Sequence, residues 1–384
     1  MKARRRRTAD QAVNYWPGYV DALTGEGIRI GLDQARAAAF CAEHGIPNAF
    51  GGLDEAIAWG EFDAATNVTP DGAHHPTTMK LIAAGKHVLC EKPMAVTPEE
   101  CHRMMDAARA ADRQLMIAYR LHFEPFSQRL TALCREQALG AVKTLMASNC
   151  QVTIAPDIRL QADKGGGPIS DTGIYCINAA RMVTNEEPTE VVAFAHQPAD
   201  NPDFAEVPES VAFLLRYPSG VVAHCETSFG AAESRHLRVH CAEGFIDLEA
   251  AFSYQGQQLR LRRGSPSTGP ASTEELLIRP VNHFAAEMDA FCEAIHSGQP
   301  VPTDGRMGLA DVRIIRALQR SIDEGEAGLE VGQRLDLIRP QLVGVDPLLV
   351  VDRARLEESM ALSNAGHVGY AQVAGALAVP AVFQ

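Results

Sequence analysis

Residues 87–93 read His87-Val88-Leu89-Cys90-Glu91-Lys92-Pro93, and the reading of this stretch decides the fold. Three apolar residues follow a helical pattern ended by Gly85 and precede an acid, a base and a proline. A short continuous apolar run of this kind is the mark of a strand buried on both faces of a parallel sheet. Such sheets open their ligand sites at the carboxyl ends of the strands. Glu91 and Lys92 stand at that end, and Pro93 fixes the backbone just beyond them. A lysine there can act as an acid, as a fixed charge or as a donor to substrate. Taken alone, the same residues also read as a Lys-Pro turn at a strand end.

Outward from this strand, helix and strand alternate. A helix over 33–43 is capped by Asp33 and closed by Gly45, and a short helix follows over 53–59. A strand over 62–68 runs into Thr69-Pro70, and a helix over 74–84 ends at Gly85. Thr97-Pro98-Glu99-Glu100 is a capping box with proline at the first helical position, opening a helix to about Ala111. The next strand is 115–118. The alternation predicts an α/β fold, a doubly wound parallel sheet over residues 1–124.

Beyond Pro125 the pattern changes. A helix over 126–137 leads into strands at 143–149, 189–196, 210–216, 221–228, 236–241, 245–248 and 259–262, with a helix near 171–183 between the first two. Short turns such as Tyr217-Pro218-Ser219-Gly220 join them, as in a mostly antiparallel open sheet. Helices over 282–296 and 308–324 close this α+β domain, assigned to 125–330. Residues 331–384 form a C-terminal extension, whose apolar stretch 371–382 reads as an arm for a partner subunit or a tail.

Composition narrows the function. The chain of 384 residues carries a net charge of -13, which argues against a nucleic-acid partner. Its one basic cluster, Arg4 to Arg7, lacks the apolar core of a signal peptide, and no apolar run approaches the ~20 residues of a membrane span. Cytoplasm is the expected location, with periplasm as the alternative. Nine cysteines are scattered without C-x-x-C spacing, so they read as reduced buried thiols, and no metal site is expected.

The second stretch with chemistry in it is Gly165-Gly166-Gly167-Pro168-Ile169-Ser170-Asp171-Thr172-Gly173-Ile174-Tyr175. Glycines allow close backbone approach. On a helix starting at Ser170 or Asp171, Asp171 and Tyr175 share a face. The plain alternative makes Asp171 a cap and Tyr175 a partly buried aromatic. Together with Lys92 these residues suit proton transfer coupled to hydride transfer. An alcohol that loses hydride must also lose its hydroxyl proton. A free tyrosine titrates near ~10, so one that works near neutrality needs a cation beside it.

Cys90-Glu91-Lys92-Pro93-Met94-Ala95, then 115–120 with His122 and Pro125, then the triple-glycine stretch, then Asn282-His283-Phe284 with Glu287, resemble in order the Gfo/Idh/MocA oxidoreductases. Tyr175, where many members carry histidine, is similar to the glucose–fructose oxidoreductase branch. The resemblance implies a Rossmann domain holding NADP or NAD, a second domain whose open sheet joins subunits into a dimer or tetramer, and oxidation or reduction of a sugar or polyol. It implies Lys92 as catalytic lysine, Tyr175 as acid–base residue and Asp171 as its substrate-orienting partner. It implies Thr69, Pro70, His74, Glu91, Lys92 and Arg120 as lining the cofactor. Arg159 and Lys164 stand just before the triple glycine, in reach of substrate or phosphate or else solvated.

The family opens with a strand, a G-x-G-x-x-G turn and a helix that lay the cofactor pyrophosphate on a helix N-terminus. Residues 1–32 show no such unit. Gly25, Gly27 and Gly31 have another spacing, Trp16-Pro17-Gly18 is only a turn signal, and the second strand is reduced to 28–30. The expected first strand and glycine turn are degraded. Two alternatives to an active oxidoreductase therefore stay open: an impaired relative that binds sugar as a regulatory module, and a truncated or frameshifted gene product.

Overall fold

The computed structural model describes residues 19–22, 28–31, 34–44, 46, 48–264, 271–325 and 329–330. Arg4 to Arg7, Trp16-Pro17-Gly18, Gly25, Gly27, the Asp33 cap, Gly45 and the arm over 371–382 lie outside the described residues.

The first sheet has six strands: β1 (Tyr19–Ala22), β2 (Ile28–Gly31), β3 (Asn48–Phe50), β4 (Ala64–Val68), β5 (His87–Glu91) and β6 (Leu115–Ala118), in spatial order β3-β2-β1-β4-β5-β6. Helices α1 (Gln34–His44), α2 (Leu53–Trp59), α3 (Asp71–Ala83) and α4 (Pro98–Ala111) alternate with them. β2–β3, β4–β5 and β5–β6 pair in parallel. β4 and β6 are buried along their whole length, as are the three apolar residues of β5. Such burial explains why β5 and β6 read as apolar runs rather than alternations, while β4 buries the polar Thr66 and Asn67.

The capping box forms as its sequence dictates. Thr97 Oγ1 accepts from the Glu100 backbone N–H at 3.2 Å, and the Glu100 carboxylate accepts from the Thr97 N–H at 3.2 Å. α3 starts at Asp71, three residues ahead of the predicted His74, because Pro70 ends the extended backbone that leaves β4.

One expectation is corrected at the start of the chain. A strand does fill the first-strand slot: β1 lies between β2 and β4, but it runs antiparallel to both.

After α5 (Pro125–Arg135) comes the second sheet: β7 (Val142–Cys150), β8 (Glu190–His196), β9 (Ser210–Arg216), β10 (Val222–Ser228), β11 (Ser234–Cys241), β12 (Gly244–Glu249), β13 (Gln258–Arg263), β14 (Ser272–Leu276) and the short β15 (Leu329–Glu330). Its order is β14-β13-β12-β11-β7-β10-β9-β8-β15, and only β10–β7 is parallel. The mostly antiparallel sheet is as the sequence predicts; β14, polar and exposed for four of its five residues, was missed for want of an apolar face. One sheet face buries Leu145, Phe213, Leu215, Leu237 and Leu248 against α5 and α6 (Ile174–Thr184).

Two helices bring the chain back to the first sheet. Phe291 and Ala294 of α7 (His283–Ser297) pack with Leu89 and Met116 of β5 and β6. Then Thr303 accepts from the Ile117 N–H at 2.8 Å, through its backbone oxygen. α8 (Gly305–Glu324) places Leu309 and Val312 in the first core and Ile314, Ala317 and Leu318 in the second.

Candidate active site

Lys92 directly follows β5, where the carboxyl ends of β4, β5 and β6 open. Its Nζ donates to the Asp171 backbone oxygen at 2.8 Å and to Asp171 Oδ1 at 3.2 Å. The same Nζ stands 5.1 Å from the centre of the Tyr175 ring. Burial alone would pull the lysine pKa down, but Asp171, Tyr175 and Glu91 outweigh it and raise it. Lys92 therefore carries a lasting charge at neutral pH.

Asp171 sits in a wide turn, Ile169–Gly173, that precedes α6. Hydrogen bonds of this turn span five residues, so Asp171 does not ride above Tyr175 on one α-helical face as the spacing predicts. Its other oxygen, Oδ2, accepts from Arg159 Nε at 2.8 Å, and Arg159 also pairs with Asp157 Oδ2 at 3.2 Å. Burial would raise the Asp171 pKa, yet Lys92 and Arg159 hold it below the usual carboxylate value. Arg159 thus clamps Asp171, while Lys164 pairs with Asp163 at 3.0 Å on the exposed side of the loop.

The triple glycine makes this clamp possible. A Cβ on Gly166 would lie 2.5 Å from the Arg159 carbonyl oxygen and 2.6 Å from that of Gln161. Gly165 has φ +85 and lies so close to Asp71 that a Cβ would come within 2.6 Å of the Asp71 Cβ.

Tyr175, in the first turn of α6, accepts at Oη from Arg120 Nε at 3.3 Å. Arg120 opens the 3-10 turn Arg120–Phe123 after β6 and is 4% exposed. Its Nη2 donates to the Phe252 oxygen at 2.6 Å, and its guanidinium carbon lies 4.8 Å from the Tyr175 ring centre, 4.9 Å from that of Tyr254 and 5.7 Å from that of Phe284. Arg120 thus hydrogen-bonds the Tyr175 hydroxyl, while Lys92 stands beside the ring.

The remaining predicted residues take different positions. Glu91 Oε2 accepts from the Lys92 N–H at 3.0 Å, and burial raises its pKa. Thr69 donates through Oγ1 to the buried Asn67 at 2.9 Å, and Pro70 precedes α3. His74 is 1% exposed, with Nδ1 2.7 Å from the Pro93 oxygen and Nε2 2.7 Å from the Thr69 oxygen. Burial pushes its pKa down to about 4, so the ring is neutral and has one proton for two carbonyls. The ring is wedged between the loops after β4 and β5 and donates its one proton to one of the two carbonyl oxygens, Thr69 or Pro93.

Sequence reading assigned no role to three further groups. Asp71, at the start of α3, has its pKa raised to about 8 by burial and by the neighbouring Asp171 and Glu91. His283 and Glu287, one turn apart on α7, are 2% and 0% exposed. Among the described residues, His283 Nδ1 and both Glu287 oxygens have no hydrogen-bond partner. Burial keeps both neutral: it pulls His283 down to about 3 and lifts Glu287 well above the carboxylate range. Leaving such groups unpaired costs about 1–3 kcal/mol each, so they suit a ligand rich in donors and acceptors. The Glu91 carboxyl is close enough to act on Glu287 and raise its pKa further.

A doubly wound sheet with these groups gathered at its carboxyl edge defines a nucleotide-dependent oxidoreductase. The comparisons with known proteins then name the family. Residues 30–119 match the model of the oxidoreductase family with an NAD-binding Rossmann fold, and residues 127–247 match the GFO/IDH/MocA C-terminal domain. The chain is 30% identical over 298 residues to D-xylose 1-dehydrogenase (NADP(+)) 2 of Haloferax volcanii, covering 77% of this chain and 89% of that protein. It is 30% identical over 306 residues to 1,5-anhydro-D-fructose reductase of Ensifer adhaerens, covering 76% and 88%. Among solved structures, the aldose–aldose oxidoreductase of Caulobacter crescentus, complexed with glycerol, is similar at 34% identity and TM-score 0.73, covering 78% and 90%. The chain belongs to the GFO/IDH/MocA family of NAD(P)-binding oxidoreductases. No described helix is long and apolar enough to cross a membrane.

Proposed function

We propose that this chain oxidises the anomeric carbon of an aldose, or reduces the matching carbonyl, with NADP or NAD as its nucleotide. The observation that carries the reading is the meeting of Lys92, Asp171, Arg120 and Tyr175 at one sheet edge, with Lys92 Nζ 3.2 Å from Asp171 Oδ1 and Arg120 Nε 3.3 Å from Tyr175 Oη. Relatives named D-xylose 1-dehydrogenase (NADP(+)) 2 and aldose–aldose oxidoreductase support the substrate class.

A nicotinamide nucleotide held at this edge would supply the hydride acceptor or donor. In oxidation the Tyr175 phenolate, held by Arg120, takes the hydroxyl proton and passes it on to solvent; in reduction the phenol gives its proton to the new alkoxide oxygen. Arg120 donates to the phenol oxygen, so negative charge formed there meets a fixed cation in a buried site. Lys92 adds a second positive charge beside the ring, and Asp171, clamped by Arg159, keeps the ammonium in place. The Asp171 carboxylate also remains an acceptor for a sugar hydroxyl. We assign the nicotinamide ribose to Glu91 and the loops at Thr69 and Pro70, with His74 holding those loops.

The outer face of the second sheet leaves Phe194 75%, Met146 49% and Leu214 39% exposed. We propose that a second copy of the chain covers this face.

The test is turnover: the purified chain with NADP or NAD and a panel of pentoses and hexoses, followed by nicotinamide absorbance. Reduced nucleotide with at least one aldose is expected. No turnover with any aldose and either nucleotide overturns the reading.

A further inference from the structure

The polarity of β1 bears on how much of a dinucleotide this sheet can hold. Tyr19 faces Gly31 and Val68, while Ala22 faces Ile28 and Ala65. Gly31 and Val68 are the carboxyl ends of β2 and β4, at the edge where Lys92 stands. β1 therefore begins at the site edge and ends at the far one. A Rossmann sheet holds pyrophosphate on the helix that leaves the carboxyl end of its first strand, at the site edge. In this chain the carboxyl end of β1 points away from the site. Residues 23–27 separate it from β2, fewer than the ~10–12 that a crossover with its helix requires. An antiparallel pair needs no crossover, which is consistent with that short link. The match to the Rossmann family model likewise begins only at residue 30, near the end of β2.

The opposite end of the site is built. Glu91, Lys92, Arg120 and Tyr175 are in place, and the unpaired His283 and Glu287 lie on the helix that packs against β5 and the Arg120 turn.

We propose that this chain grips a nicotinamide nucleotide by its nicotinamide riboside end, and that pyrophosphate and adenosine add little to the affinity. Reduced nicotinamide mononucleotide is then a sufficient ligand. The proposal rests on the oxidoreductase function above.

The experiment titrates the full chain with NADPH and, separately, with reduced nicotinamide mononucleotide, following nicotinamide fluorescence. The two dissociation constants are expected within about tenfold, and millimolar adenosine 2′,5′-bisphosphate is expected to displace neither ligand. NADPH tighter by more than that, or displacement by the bisphosphate, overturns the proposal and leaves the oxidoreductase function standing. Binding of neither ligand overturns both.

Discussion

Lys92 Nζ holds Asp171 twice, by the backbone oxygen at 2.8 Å and by carboxylate Oδ1 at 3.2 Å, across 79 residues of sequence. The pair joins the carboxyl edge of the first sheet to the turn that launches Tyr175. Replacing Lys92 by alanine removes a fixed cation from the proposed reacting centre. We expect kcat to fall by roughly 10²–10³-fold, the scale of losing one preorganised electrostatic contact. Asp171 keeps Arg159, so the stability loss should stay below the ~3–5 kcal/mol of a stranded buried charge. Steady-state kinetics and thermal melting check both parts; unchanged turnover would show that the lysine is only structural.

Arg120 offers a sharper contrast. Arg120→Lys keeps the charge but loses the planar fork that reaches both Tyr175 Oη and the Phe252 oxygen. A buried carbonyl left unpaired costs about 1–3 kcal/mol. The variant should melt lower and turn over more slowly than wild type, with Arg120→Met worse in both. A lysine variant equal to wild type in melting and kcat would refute the assigned contacts.

Asp71 sets a pH dependence. Its carboxyl titrates near ~4 in an unfolded chain and at about 8 in the folded one. Between those values the folded protein binds the extra proton, so this group makes stability fall as pH rises through that window. Asp71→Asn should flatten the fall, bringing the melting temperatures at acid and alkaline pH closer together. Melting curves from pH 5 to 9 decide it; a variant with the wild-type slope would point to another group.

Gly166→Ala tests the loop behind Asp171. The added methyl meets the Arg159 and Gln161 carbonyl oxygens at 2.5 and 2.6 Å, both backbone atoms that cannot swing aside. The loop must open and carry Arg159 off Asp171. Lower kcat together with a lower melting temperature is expected, and Gly72→Ala, whose Cβ has only the Asp163 oxygen at 4.0 Å, serves as the harmless control.

Much of this site was legible in the sequence because its residues sit where short-range rules are strong. Val88 to Cys90 are fully buried and apolar, so the strand that presents Lys92 announced itself. The capping box at Thr97 and the triple glycine did the same for the helix and the loop. The sequence shows Arg159 but not its partner, because the pairing depends on how the loop folds over Asp171. The return of α7 to the first sheet depends on packing between residues some two hundred positions apart, which no local pattern carries. β1 went unseen for a related reason: Tyr19-Val20-Asp21-Ala22 is too short to show a period, and its place comes from its two neighbours.

We propose that Tyr175 moves the proton while its neighbours only hold charge and position. Tyr175→Phe tests it most directly, since the ring and its packing against Arg120 remain and only the hydroxyl goes. Measured as kcat for aldose oxidation alongside NADPH affinity by fluorescence, the variant should lose roughly 10²–10⁴-fold in kcat with affinity little changed. Wild-type turnover in the phenylalanine variant would contradict the account.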